Sequence, residues 1–121
     1  MIKIYRLIVA VCLLCTFMAQ TSSVFALNRS DAENAFFGDW IRSGSGKVIT
    51  LTRTNYGVAP MTIVKYQSTG EYTGDFYTHI KISNKSIPTI FKLNAKQDTV
   101  FVMTCNANWI PDGGRMALIR F

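Results

Sequence analysis

The chain is short of most of what catalysis uses. In 121 residues it has one histidine, three cysteines and seven acidic residues against thirteen basic ones. Cys12 and Cys15 lie in an apolar N-terminal run, so beyond it Cys105 stands alone. His79 and Cys105 offer at most two metal ligands, distant in sequence, where a zinc site needs several at close spacing. The acids are scattered: Asp31 and Glu33 lie in a polar stretch, and Asp75, Asp98 and Asp112 lie in or near turns. No glycine-rich loop leads into a helix, so there is no phosphate cradle of the P-loop kind. No metal, no cofactor and no enzymatic activity are expected. Repeats, low-complexity tracts and linkers are also missing, which leaves one small domain with a modest core.

What is present begins with an address. Met1–Arg6 is short and basic, and Leu7 to Met18 is almost continuously apolar. Polar residues 20–23 follow, then Val24-Phe25-Ala26. A positive end, an apolar core and small residues before a cleavage point make a signal peptide over residues 1–26. The run is only about a dozen residues, whereas a spanning helix needs about 20. The processed chain is therefore expected to be secreted or periplasmic and not transmembrane. Lys3 and Arg6 leave with the signal, so the formal charge falls from +6 to +4. In an oxidising compartment the lone Cys105 has no internal partner and is expected to be a buried free thiol. The positive balance implies weak attraction to anionic surfaces. Export, and the lack of an aromatic–basic signature, argue against a nucleic-acid partner.

Residues 27–35 read as a short polar leader or a single helical turn, with Ser30 able to cap Asp31-Ala32-Glu33. From Phe36 to Phe121 the hydrophobic period is two. Lys47–Arg53, Met61–Tyr66 and Gly74–Ile82 are β-rich; the last places Phe76, Thr78, Ile80 and Ile82 on one face. Thr89–Leu93 and Thr99–Thr104 follow. The last run is Gly114–Phe121, with Ala117, Ile119 and Phe121 on one side. Turn formers separate these runs, among them Ser43–Gly46, Asn55-Tyr56-Gly57, Ser83-Asn84-Lys85 and Pro111–Gly114. With the segment around Trp40, the pattern predicts about seven to eight short strands. The fold class is all-β, a small antiparallel up-and-down β-barrel or sandwich over residues 36–121.

Gly38-Asp39-Trp40 opens the β region, and Gly-x-Trp on a first strand resembles the calycin group of lipocalin-like and avidin-like barrels. The resemblance implies that Trp40 plugs the closed end and that a basic residue near the chain end, Arg115 or Arg120, stacks on its indole. Residues 69–78 (TGEYTGDFYT) resemble the avidin-like hairpin, which implies ligand-facing roles for Phe76 and Thr78. Phe76 lacks the phenol oxygen of a biotin pocket, and Arg42 stands where that pocket has a small amide, so biotin is not the implied ligand. Bacterial metalloprotease inhibitors also begin with Gly-x-Trp; their inhibitory N-terminal strand corresponds to the leader, although no disulfide is available here.

These readings converge on an exported binding protein. The rim of its barrel, with the Ser43–Gly46 and Asn106–Gly114 loops, is expected to engage a small ligand or a secreted protein. Trp109 is the candidate exposed anchor. The alternatives are an inhibitor of a secreted hydrolase (protease or lysozyme) and a small-barrel enzyme.

Overall fold

The computed structural model describes residues 26–121. The signal-peptide expectation falls on residues 1–25, outside the described part. One helix, α1 (Arg29–Phe36), precedes eight strands: β1 (Gly38–Arg42), β2 (Val48–Leu51), β3 (Asn55–Tyr56), β4 (Ala59–Ser68), β5 (Gly74–Ile82), β6 (Lys85–Leu93), β7 (Thr99–Cys105) and β8 (Pro111–Arg120). Each strand pairs antiparallel with the next, and β8 returns to β1 with Trp40 opposite Arg120, closing an up-and-down barrel. Closure removes the sheet edges that an open sheet would present.

The alternation on β5 works as expected over most of its length. Phe76, Thr78 and Ile80 are buried, but Ile82, at the mouth, is about half exposed. Phe76 pairs with Phe91 on β6, and Phe91 with Val102 on β7, so one inward row crosses three strands. Phe36, Trp40, Phe76, Phe91, Val100 and Leu118 are wholly buried. Each such side chain contributes roughly 1.5–3 kcal/mol by leaving water, so a chain of this size concentrates its stability in this cluster.

Three local readings need correcting or completing. First, the polar leader is part of the core. Helix α1 is capped by Asn28, not Ser30: the Asp31 amide donates to Asn28 Oδ1 at 2.8 Å. It buries Ala32, Glu33 and Phe36, and Leu27 just ahead of it is buried too. The apolar positions were too few and too widely spaced to signal a buried face. Second, the presumed turn at Asn55-Tyr56-Gly57 contains the two-residue strand β3, and strands β6 and β8 begin earlier than the apolar runs suggested. Third, the side of β8 that carries Ala117, Ile119 and Phe121, left without a direction by the sequence pattern, faces outward. Met116, Leu118 and Arg120 point in, while Ile119 and Phe121 are exposed. Both faces of this strand alternate apolar residues, so the pattern alone had no means of choosing.

The chain runs alternately between two ends. The lower end gathers α1, residues 52–54, 69–73 and 94–98, and the finish of β8. The upper end gathers residues 43–47, 57–58, 83–84 and 106–110. Among the described residues the buried core runs from Leu27 to Leu118, and the chain from Leu27 onward includes α1 and all eight strands of the ring.

Candidate functional site

The lower end is sealed by a set of mutually dependent contacts. Gly38 has φ +131°, a conformation that side-chain-bearing residues rarely adopt, and it turns the chain from α1 into β1. That turn brings the Trp40 indole beneath the helix, where Nε1 donates to the Phe36 carbonyl at 2.9 Å. The Phe36 ring stacks on Phe76 with centroids 4.4 Å apart. The Arg120 guanidinium lies 4.2 Å from the Trp40 ring and donates to the carbonyls of Gln97 and Ala35. Arg115 does not share this role; it pairs with Met103 nearer the other end and is exposed. Glu33 ties the helix to its neighbours through Arg29 at 2.9 Å and Arg53 at 2.7 Å. These pairs, led by the Arg29 hydrogen bond, hold its carboxyl below the usual range.

Two of the expected ligand contacts are buried, one of them in this seal. Phe76 is wholly buried against Phe36, and Thr78 is wholly buried with its hydroxyl donating to the Thr89 carbonyl at 2.9 Å. Phe76 is covered by Phe36 of α1, and Thr78 is buried within the barrel. Sequence reasoning placed both on the correct face of β5, but without the helix it left them a cavity to line.

Trp109 also takes a different position from the one expected. It folds down on the outside of the barrel, half-buried, with its ring 5.4 Å from Tyr77 and 5.2 Å from His79. Asn106 fixes this loop by accepting from the amides of Asn108 and Ile110. Under the indole lies a small outer cluster of Ile90, Met103 and Cys105. Cys105 is a buried free thiol, and burial pushes its pKa up, away from nucleophilic thiolate. His79 forms no hydrogen bond with Cys105 or with a carboxylate among the described residues, and its Nδ1 is buried without a partner. Among the same residues no group of three His, Cys, Asp or Glu stands close enough to hold a metal.

The upper end is open on one side. Strands β4–β8 have 7–10 residues each, but β1, β2 and β3 have five, four and two. β8 pairs with β1 only through Leu118–Arg120, followed by one bond from the Ser43 amide to the Ala117 carbonyl at 2.9 Å. Above that point the β1-facing side of β8 has no strand beside it. A notch of about 560 Å³ opens there, lined by Arg42, Ser43, Phe101, Arg115, Met116 and Ala117. Both arginines are exposed, and neither forms an ion pair among the described residues. Met116 in this lining accepts at Sδ from the Tyr56 hydroxyl at 3.6 Å. Burial pushes the Tyr56 phenol up, with Arg42 opposing the shift.

The unpaired stretch of β8 is poorly suited to adding another strand. Pro111 lacks an amide hydrogen, Arg115 carries charge, and the pairing with β7 slips between Met103 and Cys105. Gly113 sits in that slip so close to Thr104 that a Cβ would fall 1.8 Å from Thr104 Oγ1. The notch is therefore a place for side-chain chemistry. Its neighbours are the two loops singled out from sequence, Ser43–Gly46 and the segment from Asn106 to Gly114. The notch itself was not foreseen, since it arises from unequal strand lengths.

No family model, curated protein or solved structure matches this chain.

Proposed function

We propose that this chain is an exported, calycin-like binding protein without catalytic machinery, and that it holds its partner at the upper rim, in the notch between β1 and β8. The carrying observation is the contrast between a buried aromatic and aliphatic cluster from Phe36 to Leu118 and a notch where two guanidinium groups without ion-pair partners among the described residues border Phe101 and Met116. Arginine is suited to planar, bidentate recognition of carboxylate or phosphate. The notch thus fits an acidic group on an apolar body, carried by a small ligand or by a secreted protein. The calycin-like reading draws on Gly38 and Trp40 at the start of a closed eight-stranded barrel, with Arg120 over the indole. The non-enzymatic reading draws on a thiol whose pKa is raised by burial and on a histidine whose buried Nδ1 has no hydrogen-bond partner among the described residues.

Inhibition of a hydrolase through the leader is not favoured, because α1 is docked under the barrel with Phe36 wholly buried. A secreted or periplasmic location rests on the residue pattern of 1–26.

The test is native mass spectrometry of the protein recovered from its own compartment. A co-purifying molecule is expected, retained in Lys96→Ala and lost in Arg42→Ala/Arg115→Ala. A bound molecule indifferent to the two arginines would overturn the assignment of the notch.

A further inference from the structure

Charge is unevenly divided between the two ends. Six of the seven acids, Asp31, Glu33, Asp39, Glu71, Asp75 and Asp98, belong to the lower end, where they face five basic residues. The upper end carries Arg42, Lys47, Lys81, Lys85 and Arg115 against Asp112 alone, all of them exposed. Essentially the whole excess of positive charge sits on one end.

The same end carries aliphatic side chains at its tips. Val58, on the β3–β4 turn, is 101% exposed; Val48, Ile82 and Ile110, beside three other loops, are 55%, 48% and 57% exposed. The lower end also exposes Tyr72 and Phe121, but among the acids. Only the upper end joins apolar tips to uncompensated positive charge.

We propose that the upper end seats the protein on an anionic lipid surface, with the loop-tip aliphatics entering the headgroup layer and the lysines resting on its negative charge. Two features favour lipid over an acidic protein. Lysine is depleted in protein–protein interfaces, and their anchors are aromatic residues or arginines in packed pockets; here the tips are isolated aliphatics on separate turns with Lys47, Lys81 and Lys85 between them. Interfacial membrane binding instead scales with shallow apolar burial plus electrostatic attraction. The proposed contact is peripheral, made by loop tips and lysines at one end of the barrel; no helix among the described residues is long and apolar enough to cross a membrane. It goes beyond the notch reading: the lipid contact is made by Lys47, Lys81, Lys85 and the aliphatic tips, while Arg42 and Arg115 of the notch add to the same positive field.

The experiment is vesicle flotation of the chain from Leu27 onward, which includes α1 and all eight strands of the ring. Vesicles of phosphatidylcholine with about a quarter phosphatidylglycerol are compared with pure phosphatidylcholine at roughly 0.1 M salt. Binding is expected only to the anionic vesicles and is expected to fade as salt rises. Lys81→Gln/Lys85→Gln is expected to weaken it about tenfold or more, Val58→Asp to weaken it further, and Lys96→Gln at the lower end to leave it unchanged. Equal binding to both vesicle types, no binding to either, or equal losses from Lys96→Gln would overturn the proposal. If the tips cross-link to a protein while anionic vesicles float without the chain, the surface is a protein dock instead. Lys81→Gln/Lys85→Gln leaves the notch arginines in place, so a molecule still co-purifying with that variant separates failure of the lipid proposal from failure of the notch.

Discussion

At the lower end, helix α1, Trp40 and Arg120 hold one another by stacking and hydrogen bonds, and each contact depends on the next. At the upper end, short strands give way to loops, two arginines face a notch without counter-ions, and aliphatic side chains stand in water. The first arrangement spends its residues on stability; the second leaves them unpaired. Sealing one end with a buried cluster lets the other carry groups that add little to folding and are available for binding.

The sharpest way to break this contrast is at the seal. Trp40→Ala is expected to cost about 3–5 kcal/mol, measured by urea unfolding; a loss below about 1 kcal/mol would remove the indole from its role as plug. Arg120→Ala comes next, at about 2 kcal/mol, since charge-assisted bonds to two carbonyls are lost together with the stack. Arg120→Lys is expected to recover only part of this, because an ammonium lacks the flat fork that covers the ring.

A smaller effect follows from Glu33. Its folded-state pKa lies below the ordinary 4.5 because of Arg29 and Arg53. Its contribution is therefore present above that ordinary value and disappears as pH falls through the folded-state pKa. Glu33→Gln is expected to cost under about 1 kcal/mol at neutral pH. The gap to the unsubstituted protein is expected to close in acid, and a gap that persists there would assign the loss to packing. The least effect on folding is expected at the other end. Arg42→Ala, Arg115→Ala and Lys81→Gln are each expected to shift stability by less than about 0.5 kcal/mol, although they impair binding. A larger shift would mean that the rim is part of the scaffold after all.

How much of this was legible varies along the chain. The two-residue period of β5 announced Phe76, Thr78 and Ile80, because a strand buried on one face leaves that mark. Gly38 and Trp40 were legible as a pair only through the resemblance of Gly-x-Trp to the first strand of calycin barrels, not from their spacing alone. Helix α1 was not, because Leu27, Ala32 and Phe36 give too weak an amphipathic signal without the barrel mouth they close. On β8, Leu118 and Ile119 were equally apolar candidates for the core; partnership with Trp40 across the closing pair decides between them. The notch was the least legible feature, being made by where β1 stops beside β8 and not by any motif.

Closure between β1 and β8 has a kinetic consequence. The two strands that complete the ring come first and last in chain order, so their pairing has the greatest sequence separation in the barrel. Contacts of that kind are slow to form. A polypeptide delivered N-terminus first would carry Trp40 uncovered until the stretch bearing Arg120 arrives, and during that wait the half-made ring is vulnerable to aggregation.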